Sequence, residues 1–172
     1  MIRVAGIADD SIVDGPGIRV TVFGQGCPHH CPGCQNPETW SFEGGLEMEE
    51  ETLAEQIQRN PLAKGVTFSG GEPFVQAAGF AKLARLLRAA GYELAAYTGY
   101  TFEQLYAMED PAIRDLLGQL EILVDGPFVE AERSLSLRFR GSRNQRIIDL
   151  PKSLAAGKAL LCTAERWTGE EA

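Results

Sequence analysis

Residues 18–34 read Ile-Arg-Val-Thr-Val-Phe-Gly-Gln-Gly-Cys-Pro-His-His-Cys-Pro-Gly-Cys, and this stretch decides the fold. Residues 18–23 alternate and are β-branched, which predicts a strand. That strand runs straight into a loop holding Cys27, Cys31 and Cys34. The same order recurs downstream. Residues 65–68 predict a strand that meets Ser69-Gly70-Gly71-Glu72-Pro73, residues 93–97 one that meets Thr98-Gly99, and residues 121–124 one that meets Asp125-Gly126. Helices fall between them. Leu53 and Ile57 are helically spaced within residues 47–59, and Phe80, Leu83, Leu86 and Leu87 within residues 74–90, where Gly91 ends the run. Thr101-Phe102-Glu103-Gln104 has the form of a capping box, and Asp110-Pro111 that of a helix start.

Strand, loop and helix in repetition predict a parallel sheet with crossover helices. A complete eight-unit barrel takes about 200 residues or more, and this chain has 172. The expected fold is therefore α/β: an incomplete, open (β/α) barrel of parallel strands with its active site at the strand C-terminal ends. A fifth strand is expected at residues 146–150. The whole chain reads as one domain, with a core at 1–150 and a C-terminal helix and tail at 151–172.

Composition narrows the class. The chain has 44% hydrophobic and 23% charged residues, which are ordinary globular values. Its net charge of −8 argues against a broad nucleic-acid footprint, which needs clustered Lys and Arg. The longest apolar runs, such as 94–97 and 159–162, fall far short of the roughly 20 residues that cross a bilayer. Met1-Ile2-Arg3-Val4-Ala5 begins no long apolar signal region. Three of the four cysteines and both histidines lie between positions 27 and 34. Neighbours so close are poorly placed to staple distant elements, so reduced thiols in the cytoplasm are expected.

Three thiolates on one short loop can each hold one iron of a cubane 4Fe–4S cluster, leaving a fourth iron open to substrate. Pro28 and Pro32 stiffen the loop, while Gly26 and Gly33 permit backbone angles that other residues resist. A zinc site of three cysteines with His29 or His30 is the alternative, although structural zinc loops usually come as two separated pairs. Cys162, in Ala-Leu-Leu-Cys, reads as a small buried hydrophobe.

The Cys27-x3-Cys31-x2-Cys34 loop followed by Gly70-Gly71-Glu72-Pro73 resembles the radical S-adenosylmethionine superfamily. Within it, five stretches resemble the activating proteins of anaerobic (class III) ribonucleoside-triphosphate reductases: residues 13–17, 26–36, 98–100, 123–128 and 140–146. The resemblance covers roughly residues 10–150. It implies reductive cleavage of S-adenosylmethionine to methionine and a 5′-deoxyadenosyl radical, which takes hydrogen from a glycine of the reductase. It implies no separate catalytic side chain, since the chemistry lies in the cluster and S-adenosylmethionine. Cys27, Cys31 and Cys34 would ligate the cluster. Gly70, Gly71 and Glu72 would face the methionyl group, Glu72 accepting from its ammonium. Thr98 and Asp125 would help hold its carboxylate, in some relatives through a monovalent cation.

The implied partners are the reductase and a low-potential electron donor, and the family is associated with homodimers. Gln35 departs from the aromatic or His common after the third cysteine. Gly33 leaves the adenine contact unassigned. Residues 140–146 would touch S-adenosylmethionine or the partner, or form a solvated basic face. Asp14 would shape the Gly15-Pro16-Gly17 turn. Two other readings are an activase of a different glycyl-radical enzyme and a non-catalytic, zinc-stabilised interaction module.

Overall fold

The computed structural model describes residues 1–169; residues 170–172, the end of the expected tail, lie outside the described residues. One seven-stranded sheet holds the strands β1 (Ile2–Ser11), β2 (Arg19–Gly24), β3 (Leu46–Met48), β4 (Gly65–Gly70), β5 (Glu93–Tyr97), β6 (Ile122–Asp125) and β7 (Arg146–Asp149), in the order β3-β1-β2-β4-β5-β6-β7. The pairs β2–β4, β4–β5 and β5–β6 are parallel. The outer pairs β1–β2, β1–β3 and β6–β7 are antiparallel.

The expectation of parallel strands thus holds for the four central strands only. The β6–β7 connection carries just a 3-10 turn, Glu130–Glu132, and without a crossover helix the chain returns antiparallel. Strands β1 and β3 were not expected. The pairing of β1 slips register between Val4 and Gly6 and between Ala8 and Ser11, which breaks its alternation.

The helices α1 (Glu50–Gln58), α2 (Ala77–Ala89), α3 (Phe102–Ala107) and α4 (Pro111–Gln119) cover one face. On α2, Phe80, Leu83, Ala84 and Leu87 are fully buried, as the helical spacing requires. Each such large side chain contributes about 1.5–3 kcal/mol by leaving water. The local signals work as read. Thr101 and Gln104 form a reciprocal capping box, and the Asp110 carboxylate accepts from Ala112 N.

Side chains alternate across the strands. Leu94, Ala96, Leu123 and Ile148 join the helix-side core, while Ala95, Ile122, Val124 and Ile147 join a second cluster with Cys162 and Trp167. The C-terminal segment supplies that second cover through Cys162 and the Trp167 of α6 (Glu165–Thr168), whereas Leu150 and Leu154 of α5 (Leu150–Ala156) pack with the helix-side core.

At the opposite edge from the cysteine loop, the fully buried Arg19 donates to Thr67 Oγ1 at 2.9 Å and Glu93 Oε1 at 2.9 Å. The Trp167 ring lies 5.2 Å from its guanidinium carbon. Burial lowers the Arg19 pKa and Glu93 opposes that shift. Arg166 pairs with the same Glu93. Its Nη2 also donates to Val66 O and Glu93 O, so all three guanidinium nitrogens of this buried cation are engaged at this edge.

Candidate functional site

Four chain segments leave the C-terminal ends of the parallel strands and line one cavity. Cys27, Cys31 and Cys34 come from the loop after β2, Gly70 and Gly71 from the end of β4, and Thr98 and Gly126 from the ends of β5 and β6. All four cysteines are free thiols. Cys162 sits apart in the second cluster, 8% exposed, with its backbone N–H on Ile147 O, so its small-hydrophobe reading agrees with its surroundings.

The loop is held by its own backbone. Gly26 N donates to Thr39 O at 2.7 Å, Cys27 N to Trp40 O at 3.1 Å, and Cys34 N to Cys31 O at 3.0 Å. Asn36 N donates to Cys34 Sγ at 3.4 Å. Burial pushes the Cys27 thiol up; Glu72 and Cys31 add to that, against backbone N–H groups of His29 and His30. Among the described residues no three His, Cys, Asp or Glu side chains are grouped as a single-ion site.

Glycine fixes the floor. Gly70 has φ +94° and Gly26 φ +106°, both in the region that favours glycine. A Cβ on Gly71 would collide with the Gly26 carbonyl. Gly71 N donates to Gly24 O and Glu72 N to Gly26 O, each at 2.9 Å. The Gly-Gly-Glu turn is therefore docked backbone to backbone on the root of the cysteine loop.

Glu72 lies behind this wall, 1% exposed. Its Oε1 accepts from His29 Nε2 at 2.6 Å, Thr98 Oγ1 at 2.8 Å and Gly99 N at 2.8 Å. Its Oε2 accepts from Phe74 N at 3.1 Å and Thr98 Oγ1 at 3.0 Å. Thr98, expected at a ligand carboxylate, spends its hydroxyl on Glu72. Asp125 is likewise engaged: Arg146 donates Nε to Oδ1 at 3.0 Å and NH2 to Oδ2 at 2.5 Å, and Phe102 N reaches Oδ2 at 2.8 Å. Only its neighbour Gly126 lines the cavity. Arg146 also pairs with Glu103, and the two carboxylates hold its pKa above the ordinary value.

The 140–146 segment divides. Arg146 serves Asp125, Arg140 NH1 holds Gln145 O at 2.9 Å, and Arg143 is exposed. Asp14 does more than shape a turn. Its Oδ2 accepts from Ser11 Oγ at 2.7 Å and Thr21 Oγ1 at 2.9 Å, and its carbonyl accepts from Thr67 Oγ1. A second cavity of about 390 Å³ shares Cys34, Ser69, Tyr97, Phe128 and Gln145 with the first and extends to Asp14, Gln35 and Arg140. That volume is within the range of small-molecule sites, about 300–1,000 Å³.

The sequence named His29 only for the alternative zinc site and did not single out Trp40, Tyr97 or Phe128. His29 reaches Glu72 and meets the Tyr100 ring edge-on at 4.5 Å. A local pattern shows neither contact; the one available signal was Trp40 following the Pro37–Thr39 turn just past the third cysteine.

The donor set fits an iron–sulfur cluster: three free thiols on one cavity, a backbone N–H already on one sulfur, and glycines that leave the floor open. Comparison with known proteins agrees. The family model described as "4Fe-4S single cluster domain" matches residues 13–148. The anaerobic ribonucleoside-triphosphate reductase-activating protein of Vibrio cholerae is 34% identical over 143 residues, covering 78% of this chain and 89% of the relative. Its Escherichia coli K12 counterpart is 36% identical over 142 residues, covering 78% and 90%. The pyruvate formate-lyase-activating enzyme of Clostridium pasteurianum is 36% identical over 123 residues, covering 66% and 52%. Among solved structures, QueE from Escherichia coli aligns with a TM-score of 0.40 at 21% identity, covering 59% of this chain and 51% of that one.

Proposed function

We propose a function from the premise that the chain belongs to the family of anaerobic ribonucleoside-triphosphate reductase-activating proteins and carries their 4Fe-4S single cluster domain. It is a radical S-adenosylmethionine activase that installs a glycyl radical on a partner enzyme, and the partner is an anaerobic ribonucleoside-triphosphate reductase. The observation that carries this reading is the convergence of three free thiols and the Gly70-Gly71 turn on one cavity at the C-terminal edge of the parallel strands.

Cys27, Cys31 and Cys34 would hold the cluster. When bound, the cluster would supply one low-potential electron and a coordination site for S-adenosylmethionine, for its reductive cleavage to methionine and the 5′-deoxyadenosyl radical that would take hydrogen from the partner's glycine. The residues of this chain bind and orient. Gly70 and Gly71 leave backbone room for the methionyl group. His29, Thr98 and Gly99 fix the Glu72 carboxylate beside the loop, ready to accept from the ligand ammonium as His29 gives way. A carboxylate-holding role for Asp125, with a monovalent cation, requires it to release Arg146. The adjoining cavity near Asp14 gives the rest of S-adenosylmethionine and the partner's loop a way in.

The sheet is read as an incomplete, open (β/α) barrel, and residues 1–172 as one domain with a 1–150 core. A cytoplasmic location, a low-potential electron donor and a homodimer complete the proposal; among the described residues no helix is long and apolar enough to cross a membrane. Coverage favours the reductase as target, since the match spans 90% of the Escherichia coli activating protein and 52% of the formate-lyase activase.

The test is anaerobic mixing of the reconstituted protein with the reductase, S-adenosylmethionine and a reductant, read by electron paramagnetic resonance. A glycyl-radical signal is expected with wild type and with none of C27A, C31A or C34A. Full radical installation by any of the three variants would overturn the assignment, and a radical on a formate lyase alone would move the target.

A further inference from the structure

The Pro37–Thr39 turn brings the chain back onto the cysteine loop, and Trp40 is the residue it delivers. Its carbonyl accepts from Cys27 N at 3.1 Å. Its ring stacks on His30, the neighbour of Cys31, with centroids 4.7 Å apart and planes 7° from parallel. His30 adopts φ +48° to reach that position, a conformation uncommon for a non-glycine residue. Trp40 is therefore held at two points of the loop, its backbone by Cys27 and its ring by His30, and it lines the same cavity as the three thiols.

An indole carries one N–H, which can donate and cannot accept. Trp40 Nε1 is buried and has no hydrogen-bond partner among the described residues. Buried donors in folded proteins are almost always paired, so an orphan at a cofactor cavity marks a partner that arrives with the cofactor. The acceptors that a 4Fe–4S cluster brings are sulfurs: thiolates and inorganic sulfides. One such contact type is already in place, from Asn36 N to Cys34 Sγ. Trp167 Nε1 also has no partner among the described residues, but it lies in the apolar cluster over Arg19 and apart from the Cys27–Cys34 loop, which makes it the natural control.

We infer that the Trp40 indole N–H donates a hydrogen bond to a sulfur of the cluster held by Cys27, Cys31 and Cys34, and so raises its reduction potential. The inference rests on the cluster reading above. Reduction adds negative charge to the sulfurs, so a donor stabilises the reduced state more than the oxidised one. Trp40 would thus touch the cofactor directly and leave the substrate alone.

The test compares anaerobically reconstituted wild type, W40F and W167F. Phenylalanine retains a ring to stack on His30 and removes only the N–H. Iron and acid-labile sulfide are counted first, and the midpoint potential is then measured by redox titration without S-adenosylmethionine. The expected result is equal iron and sulfide, a midpoint displaced to more negative potential in W40F, and no displacement in W167F. An unchanged potential in fully loaded W40F would overturn the inference while leaving the cluster reading intact. Absence of sulfide from wild type would instead defeat the cluster reading. Should W40F not hold a cluster, pulsed electron paramagnetic resonance on wild type with 15N-labelled tryptophan gives the answer. Coupling of an indole nitrogen to the reduced cluster is expected, and its absence refutes the bond.

Discussion

Replacing Thr98 by valine tests the internal support of the site. Valine keeps the shape and removes the hydroxyl. In the native chain that hydroxyl faces both oxygens of Glu72, at 2.8 and 3.0 Å, and accepts Tyr100 N at 3.1 Å. Glu72 is 1% exposed, so water does not replace the lost donor. Three donors remain: His29 Nε2, Gly99 N and Phe74 N. A hydrogen bond to a charged group contributes about 1.5–3 kcal/mol, and the stranded Tyr100 N–H adds a smaller cost. T98V should therefore destabilise the cluster-free protein by about 2–3 kcal/mol, roughly a 30- to 150-fold change in the unfolding equilibrium. T98S keeps the hydroxyl and loses one methyl, a cost of about 0.8 kcal/mol. The assay is urea unfolding under reducing conditions, comparing midpoints at a common slope. The reasoning is refuted if T98V stays within about 0.5 kcal/mol of wild type, or if T98S loses as much as T98V.

Other substitutions separate the site from the scaffold. C31A should lose most of its bound iron and sulfide after reconstitution, whereas C162A should retain both, because Cys162 packs with Trp167 and away from the loop; elemental analysis distinguishes them. G71A forces a Cβ into the Gly26 backbone, which cannot yield without parting the turn from the cysteine loop. It should cost about 1–3 kcal/mol of stability and abolish S-adenosylmethionine binding, read by denaturation and calorimetry. Acid stability should report Glu93. Burial would raise its pKa, but hydrogen bonds from Arg166 and Arg19 hold it below the usual 4.5. A carboxylate lowered in the folded state contributes stability above its unfolded pKa, and that contribution is lost as pH falls through the folded value. Unfolding free energy should thus decline below about pH 4.5 and decline less steeply in E93Q.

What was readable in the sequence was local. Thr101 with Gln104, and Asp110 with Ala112, act through side-chain bonds to backbone two or three residues away, so their caps are written in adjacent letters. The cysteine loop was legible for the same reason. β1 was not, because its small residues, Asp9-Asp10 and two register slips leave no clean alternation, and its stability comes from β2 and β3. The direction of β7 depends on a connection whose course no short pattern reveals. The same limit applies within the site. Thr98 and Asp125 were placed correctly at strand ends, but their partners, Glu72 and Arg146, are 26 and 21 residues away. His29 reaches Glu72 across 43 residues, a contact that only the folded sheet creates.

The central claim is that the Cys27–Cys31–Cys34 loop holds a 4Fe–4S cluster with an open iron. The most direct measurement is electron paramagnetic resonance of anaerobically reconstituted, reduced protein before and after adding S-adenosylmethionine. The account predicts a reduced 4Fe–4S signal whose g-values and line shape change on addition. A silent sample carrying one zinc and no sulfide would contradict it, as would a cluster signal that S-adenosylmethionine leaves unchanged.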